Sequence, residues 1–98
     1  MRRAAKVDAN QKRIVKDLRA VGATVCDLSS VGKGCPDILV GYRHKNWLFE
    51  IKNAQGLDKT TPAQDVWLDN WKGQWAIIYN SSEAIAMMTS DGFGPNLE

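Results

Sequence analysis

Asp37, Glu50 and Lys52 are the residues whose types and spacing best fit a chemical site in this chain. The segment Trp47 to Lys52 reads as a strand, so Trp47, Phe49 and Ile51 share one face and Leu48, Glu50 and Lys52 share the other. Asp37 to Gly41 reads as its partner, with Tyr42-Arg43-His44-Lys45-Asn46 as a basic tip between them. A turn centred on Arg43 and His44 sets Asp37 directly opposite Glu50 on the charged face. Like charges facing each other on a sheet are destabilising, so the pair is expected to share a proton or a divalent cation. Two blander arrangements stay open. Glu50 and Lys52 could be an ordinary solvent-facing pair, and a turn two residues longer would set Asp37 against Lys52 as a simple ion pair. Leu48 on the charged face points to partial cover, and a half-covered carboxylate pair beside one lysine is a functional-site candidate.

Several elements must position this hairpin. Asp8 reads as an N-cap that forms a capping box with Gln11, and the stripe Ile14, Leu18, Val21 runs at helical spacing until Gly22. Lys12, Lys16 and Arg19 fall on another face of that helix. Ala23 to Leu28 reads as a strand, and Ser29 to Gly34 as a flexible loop containing Gly32-Lys33-Gly34. Thr61 as N-cap, Pro62 at the first helical position and Gln64 closing a capping box open a second helix, whose stripe is Gln64, Trp67, Leu68 and Trp71. Gly73 is expected to stop it. Trp75 to Tyr79 reads as a short apolar strand, Ser82 to Met88 as a last helix with Ile85 and Met88 inward, and the tail from Ser90 as frayed. The pattern is one alternating α/β domain spanning residues 1–98.

Composition narrows the function classes. A chain of 98 residues fits one core, and it has no apolar run near the roughly 20 residues of a membrane span. No signal-peptide core follows Met1, so a soluble, intracellular protein without a membrane partner is expected. Cys26 and Cys35 allow at most one disulfide and are expected to be reduced, which excludes a disulfide-rich secreted scaffold and leaves Asn80-Ser81-Ser82 unglycosylated. With only His44 besides, they are too few and ill-spaced for structural zinc, and a Ser-His or Cys-His nucleophile lacks support. The absence of a Walker loop or GxGxxG argues against a nucleotide cofactor. The net charge of +2 hides an asymmetry, since residues 1–19 hold seven of thirteen Lys and Arg against Asp8 and Asp17. A basic arm that meets a polyanion and a merely solvated helix face both fit that distribution.

Gly34-Cys35-Pro36-Asp37, then Glu50-Ile51-Lys52 after a hairpin, then Gln64 on a following helix resembles the PD-(D/E)xK nuclease superfamily, specifically its VRR-Nuc branch. The match runs from the first helix through the strand at Trp75 to Tyr79. The resemblance implies a restriction-endonuclease-like core, a mixed sheet of about four strands flanked by helices, and phosphodiester hydrolysis dependent on Mg²⁺ or Mn²⁺. It implies that Asp37, Glu50 and the backbone carbonyl of Ile51 hold the metal, with oxygen donors suited to a hard cation. Lys52 would orient and help deprotonate water and offset transition-state charge. Gln64 matches the family's helix glutamine, although its capping and site-facing roles are expected to compete. Where relatives carry an acidic metal ligand on the first helix this chain has Gln11, for which capping is favoured over ligation.

Arg2, Arg3, Lys6, Lys12, Lys16, Lys33, Arg43 and Lys45 are candidate phosphate contacts, and none implies base readout. Structure-selective rather than sequence-specific DNA binding is therefore expected. Small stand-alone members of this family are similar to Holliday junction resolvases, which implies a homodimer acting on branched DNA in the cytoplasm of a bacterial or phage-infected cell. Four tryptophans exceed what 98 residues usually need. Core packing is favoured for Trp47 and Trp67, a dimer face for one or two of the rest, and stacking on unpaired bases is a third option. A flap or single-strand nickase and a non-catalytic DNA-binding module that kept the fold are the alternatives.

Overall fold

A computed structural model describes residues 3–53 and 59–90, with backbone alone for residues 3–8. The elements run α1 (Arg3–Ala20), β1 (Thr24–Asp27), β2 (Ile38–Tyr42), β3 (Lys45–Ile51), α2 (Pro62–Asn70), β4 (Trp75–Ile78) and α3 (Ser81–Thr89). They form an α/β unit around one four-stranded sheet in the order β1-β2-β3-β4. β1, β2 and β3 are an antiparallel meander, and β4 lies parallel to β3, so the sheet is mixed as expected. The parallel pairing needs a crossover, which α2 supplies.

α1 begins earlier than expected. The good helix formers Ala4, Ala5 and Lys6 extend it back to Arg3, so Asp8 lies inside the helix and is not its N-cap. The capping box with Gln11 therefore does not exist. At the other end Gly22 has φ +100°, with Gly22 N–H donating to Arg19 O and Ala23 N–H to Leu18 O, the paired bonds of a Schellman motif. That termination turns Val21 outward to 40% exposure, whereas Ile14 and Leu18 are buried as the stripe requires.

The hairpin register agrees with the alternation of residue types. Ile38 pairs with Phe49 and Tyr42 with Lys45, leaving Arg43-His44 as a two-residue turn. Both turn residues have positive φ, 53° and 66°, a type I′ geometry that right-handed strand twist favours but side chains resist. Trp47, Phe49 and Ile51 enter the main core with Ile14, Leu18, Ile38, Val40, Ile78 and Met88, beneath α1 and α3. The opposite face of β3 carries Leu48, Glu50 and Lys52 and is covered by α2.

α2 starts as its sequence dictates, with Thr61 accepting from Gln64 N–H, Gln64 returning to Thr61 N–H, and Pro62 next to the cap. It ends at Asn70, two residues before Lys72, so Gly73 is not its stop signal. Gly73 instead makes room, since a Cβ there would lie 2.7 Å from Trp71 Nε1. α3 buries Ala84 and Met88, with Ile85 half-buried against the core. Of the tail expected to fray from Ser90, Ser90 itself is the C-cap of α3, and residues 91–98 lie outside the described residues. No helix among the described residues is long and apolar enough to cross a membrane.

Candidate active site

Asp37 directly precedes β2 and is fixed by backbone on both sides: its N–H donates to Phe49 O at 3.1 Å and its carbonyl accepts from Leu28 N–H at 2.8 Å. Its side chain turns toward β3, where Oδ2 accepts from Ile51 N–H at 2.8 Å. In an extended strand a residue's N–H and C=O leave on the same edge. The Ile51 carbonyl therefore leaves β3 on the Asp37 side, while the next N–H, that of Lys52, faces the other way and donates to Ile78 O.

Glu50 is only 3% exposed, which removes the reading of a solvent-facing pair. Its Oε2 accepts from Gln64 Nε2 at 2.8 Å and lies 3.3 Å from Lys52 Nζ. Lys52 Nζ also donates to Gln64 Oε1 at 3.0 Å and to Lys59 O at 3.3 Å. Lys52 is thus paired with Glu50, as the shorter turn requires, and not with Asp37. These contacts use Oε2 of Glu50 and Oδ2 of Asp37, and they leave Oε1 and Oδ1 for another partner.

Gln64 resolves an expected conflict. Its carbonyl end closes the capping box and receives Lys52, while its amide NH₂ holds Glu50, so capping and site-facing roles are met together. A side chain with both an acceptor and two donors can do this where a glutamate could not.

Electrostatics mark the carboxylates as strained toward their neutral forms. Burial raises Glu50 to about 7, the Asp37 charge adds to the rise, and Lys52 and Gln64 oppose it. Asp37 is also raised, chiefly by burial, against the lowering effects of Ile51 N–H and Lys52 and with a further rise from Asp27. Cys35 lies close enough that, after burial, the charges of Glu50 and Asp37 push its thiol up, which keeps it an unreactive neighbour.

Asp27 was not among the residues singled out in the sequence. β1 pairing sets it opposite Ile38, one residue from Asp37, and that juxtaposition is visible only once β1 is aligned. The Ser29 hydroxyl and then the Ser29 N–H hold its carboxyl below the usual range, with a contribution from Gln11. Gln11 is 4% exposed, and with its amide NH₂ directed at Asp27 its Oε1 is buried with no hydrogen-bond donor. An unpaired buried acceptor costs about 1–3 kcal/mol and is the kind of atom a cation satisfies.

The basic residues separate into groups. Lys12, Lys16 and Arg19 line a cleft of about 470 Å³ between α1 and β1 that also reaches Gln11 and Asp27. Lys33 sits beside α2. Arg43 and Lys45 occupy the hairpin tip, with Lys45 about 17 Å along β3 from Glu50 at about 3.3 Å per residue, and so stand apart from the carboxylates. Arg2 lies outside the described residues, as do the side chains of Arg3 and Lys6.

No family model and no curated protein matches the chain. Among solved structures, one described as a VRR_NUC domain superposes with a TM-score of 0.67, covering 86% of this chain and 95% of that chain at 22% identity. The fold is that of a VRR_NUC domain. On this VRR_NUC fold the hairpin presents Asp37, Glu50 and Lys52 together, and the crossover helix brings Gln64 to them. Among the described residues no group of three His, Cys, Asp or Glu side chains could hold a metal. A cation here would draw on two carboxylates and be completed by neutral oxygens. The Ile51 carbonyl and Gln11 Oε1 are of that kind, and such a set suits Mg²⁺ or Mn²⁺.

Proposed function

We propose that this protein is a metal-dependent, structure-selective DNA endonuclease, with Asp37, Glu50 and Lys52 as its catalytic core. The observation that carries the reading is the Glu50 carboxylate, 3% exposed beside Asp37 and tied through Gln64 to Lys52. Two carboxyls buried side by side are disfavoured as anions, and a cation held between them would let both ionise. Asp37, Glu50 and the Ile51 carbonyl would hold Mg²⁺ or Mn²⁺, which supplies Lewis-acid polarisation of the phosphate and an acidified water. Gln11 is a further candidate through its unpaired Oε1.

The chain's own residues do the positioning. Ile51 N–H fixes the Asp37 carboxylate, and Gln64 fixes both Glu50 and Lys52. Lys52 Nζ brings a positive charge and N–H donors to the attacking water and to charge developing on phosphate oxygens. Its contacts to Lys59 O and Glu50 Oε2, both at 3.3 Å, are the long ones that a water or phosphate oxygen displaces most readily.

The substrate read from this surface is branched DNA, with Lys12, Lys16 and Arg19 contacting phosphates along the α1–β1 cleft. Paired cuts across a four-way junction need two sites and this domain has one, so the reading includes a homodimer. Trp75, 37% exposed on the β4 edge, is the residue for that contact. The test is cleavage of labelled four-way junction, flap, single-stranded and linear duplex DNA with Mg²⁺ or Mn²⁺ against chelator. Paired symmetric cuts confined to the junction support the resolvase reading. Cutting of flaps or single strands replaces it with a nickase, and no metal-dependent product on any substrate leaves a DNA-binding module.

A further inference from the structure

One pocket lies along α2, the helix that carries Gln64, and takes no part in the chemistry above. It encloses about 360 Å³ and is lined by Lys33, Ala63, Val66, Trp67, Asn70 and Trp71. The Trp67 and Trp71 rings are stacked, with centroids 4.9 Å apart and planes 18° from parallel. Trp71 is 45% exposed and Val66 61%, so the aromatic shelf is open to solvent.

Two glycines shape it. At Gly34 a Cβ would lie 2.4 Å from Ala63 O, so only glycine lets the Ser29 to Gly34 loop close onto the first turn of α2 and bring Lys33 to the rim. Gly73 clears space for the Trp71 indole in the same way. Lys33 is held at φ 57° between Gly32 and Gly34, both with positive φ, a backbone conformation that non-glycine residues adopt rarely.

The pocket is joined to the site twice. Lys33 precedes Asp37 by four residues on one continuous segment, and Trp67 lies one helical turn beyond Gln64 on α2. From this geometry we infer that the pocket receives an unpaired nucleobase of the strand whose phosphate lies at Asp37 and Glu50, an inference that rests on the nuclease reading. The base stacks on the indole shelf, and Lys33 meets the adjoining phosphate.

Charge and size select this occupant. Among the described residues Lys33 is the one charged residue in the lining, which complements a polyanion. The volume is at the small-molecule end of binding pockets, whereas a stable dimer interface buries about 800 Å² per partner. A base within a duplex has both faces covered by its neighbours, so an aromatic shelf favours bases freed at a branch point or in a single strand.

The experiment is fluorescence anisotropy of a labelled oligo-dT and of a blunt duplex of equal length, in EDTA, with wild type, Trp71→Ala and Trp71→Phe, each checked by sedimentation. Oligo-dT binding is expected to weaken about tenfold in Trp71→Ala, to recover to within about threefold in Trp71→Phe, and duplex binding to change less than twofold. Equal losses on both DNAs would overturn the inference, as would no loss on oligo-dT. Dissociation of a wild-type dimer by Trp71→Ala would overturn it too, by assigning the shelf to a second copy. Because binding is read without metal, failure of wild type to cut any DNA would sink the nuclease reading separately.

Discussion

The two faces of β3 use the same backbone to opposite ends. Trp47, Phe49 and Ile51 enter the apolar core beneath α1 and α3, with Trp47 and Phe49 stacked at 6.1 Å. Glu50, between them in sequence, is as deeply buried, yet it is surrounded by a second carboxylate, an ammonium and an amide. One face gains stability from burial, and the other gives some of it up by keeping an acid away from water. The cover over Glu50 comes from α2, whose capping glutamine is also its hydrogen-bond partner, so the fold and the site share one side chain.

That contrast can be broken from the apolar side first. Phe49→Ala should destabilise the protein by about 3–5 kcal/mol in urea denaturation, because it opens a cavity at a residue with no exposure. On the charged face Lys52→Ala should destabilise by less than Phe49→Ala, because Glu50 keeps its Gln64 hydrogen bond and can take up a proton, and should lower metal-dependent cleavage by about 10²–10³-fold, which single-turnover rates on a cut substrate would show. Comparable loss of stability in the two variants would erase the distinction between the faces.

A pH series sharpens it further. Glu50 titrates near 7 in the folded chain against 4.5 in its ordinary state, so between those values the folded protein holds a proton that the unfolded chain has released. Stability from this group is therefore full below about pH 4.5 and is lost as pH rises through 7. Urea melts in EDTA should show wild type weakening by about 1–3 kcal/mol from pH 5 to pH 8, with the slope flattened in Glu50→Gln. The smallest effect lies at the hairpin tip, remote from both faces. Replacing Arg43-His44 by Asn-Gly should stabilise by about 1 kcal/mol, read as a rise in the urea midpoint, because both positions then tolerate positive φ.

Much of the site was legible because it lies on one hairpin. Alternation along Trp47 to Lys52 and a two-residue turn at Arg43-His44 suffice to set Asp37 near Glu50, and the observed pairing has that register. Thr61-Pro62-Ala63-Gln64 likewise announces where α2 begins. The failures have local causes. Asp8 resembled a cap only if the helix began there, and the Ala-Lys segment before it continues the helix, which moves Gln11 from a capping position to a buried one. Asp27 reaches the site through strand pairing across a loop, for which no short-range pattern exists. The double use of Gln64 depends on which end of its amide faces which partner, a matter of three-dimensional placement rather than residue type.

The most direct test of the central claim is Mn²⁺ binding itself, measured by calorimetry or by loss of the free-ion electron paramagnetic resonance signal at pH 8. Wild type should bind Mn²⁺ saturably, and Asp37→Ala and Glu50→Gln should each lose that binding while Lys52→Ala keeps it. Equal binding in wild type and both carboxylate variants would contradict the assignment of Asp37 and Glu50 as the metal-holding pair.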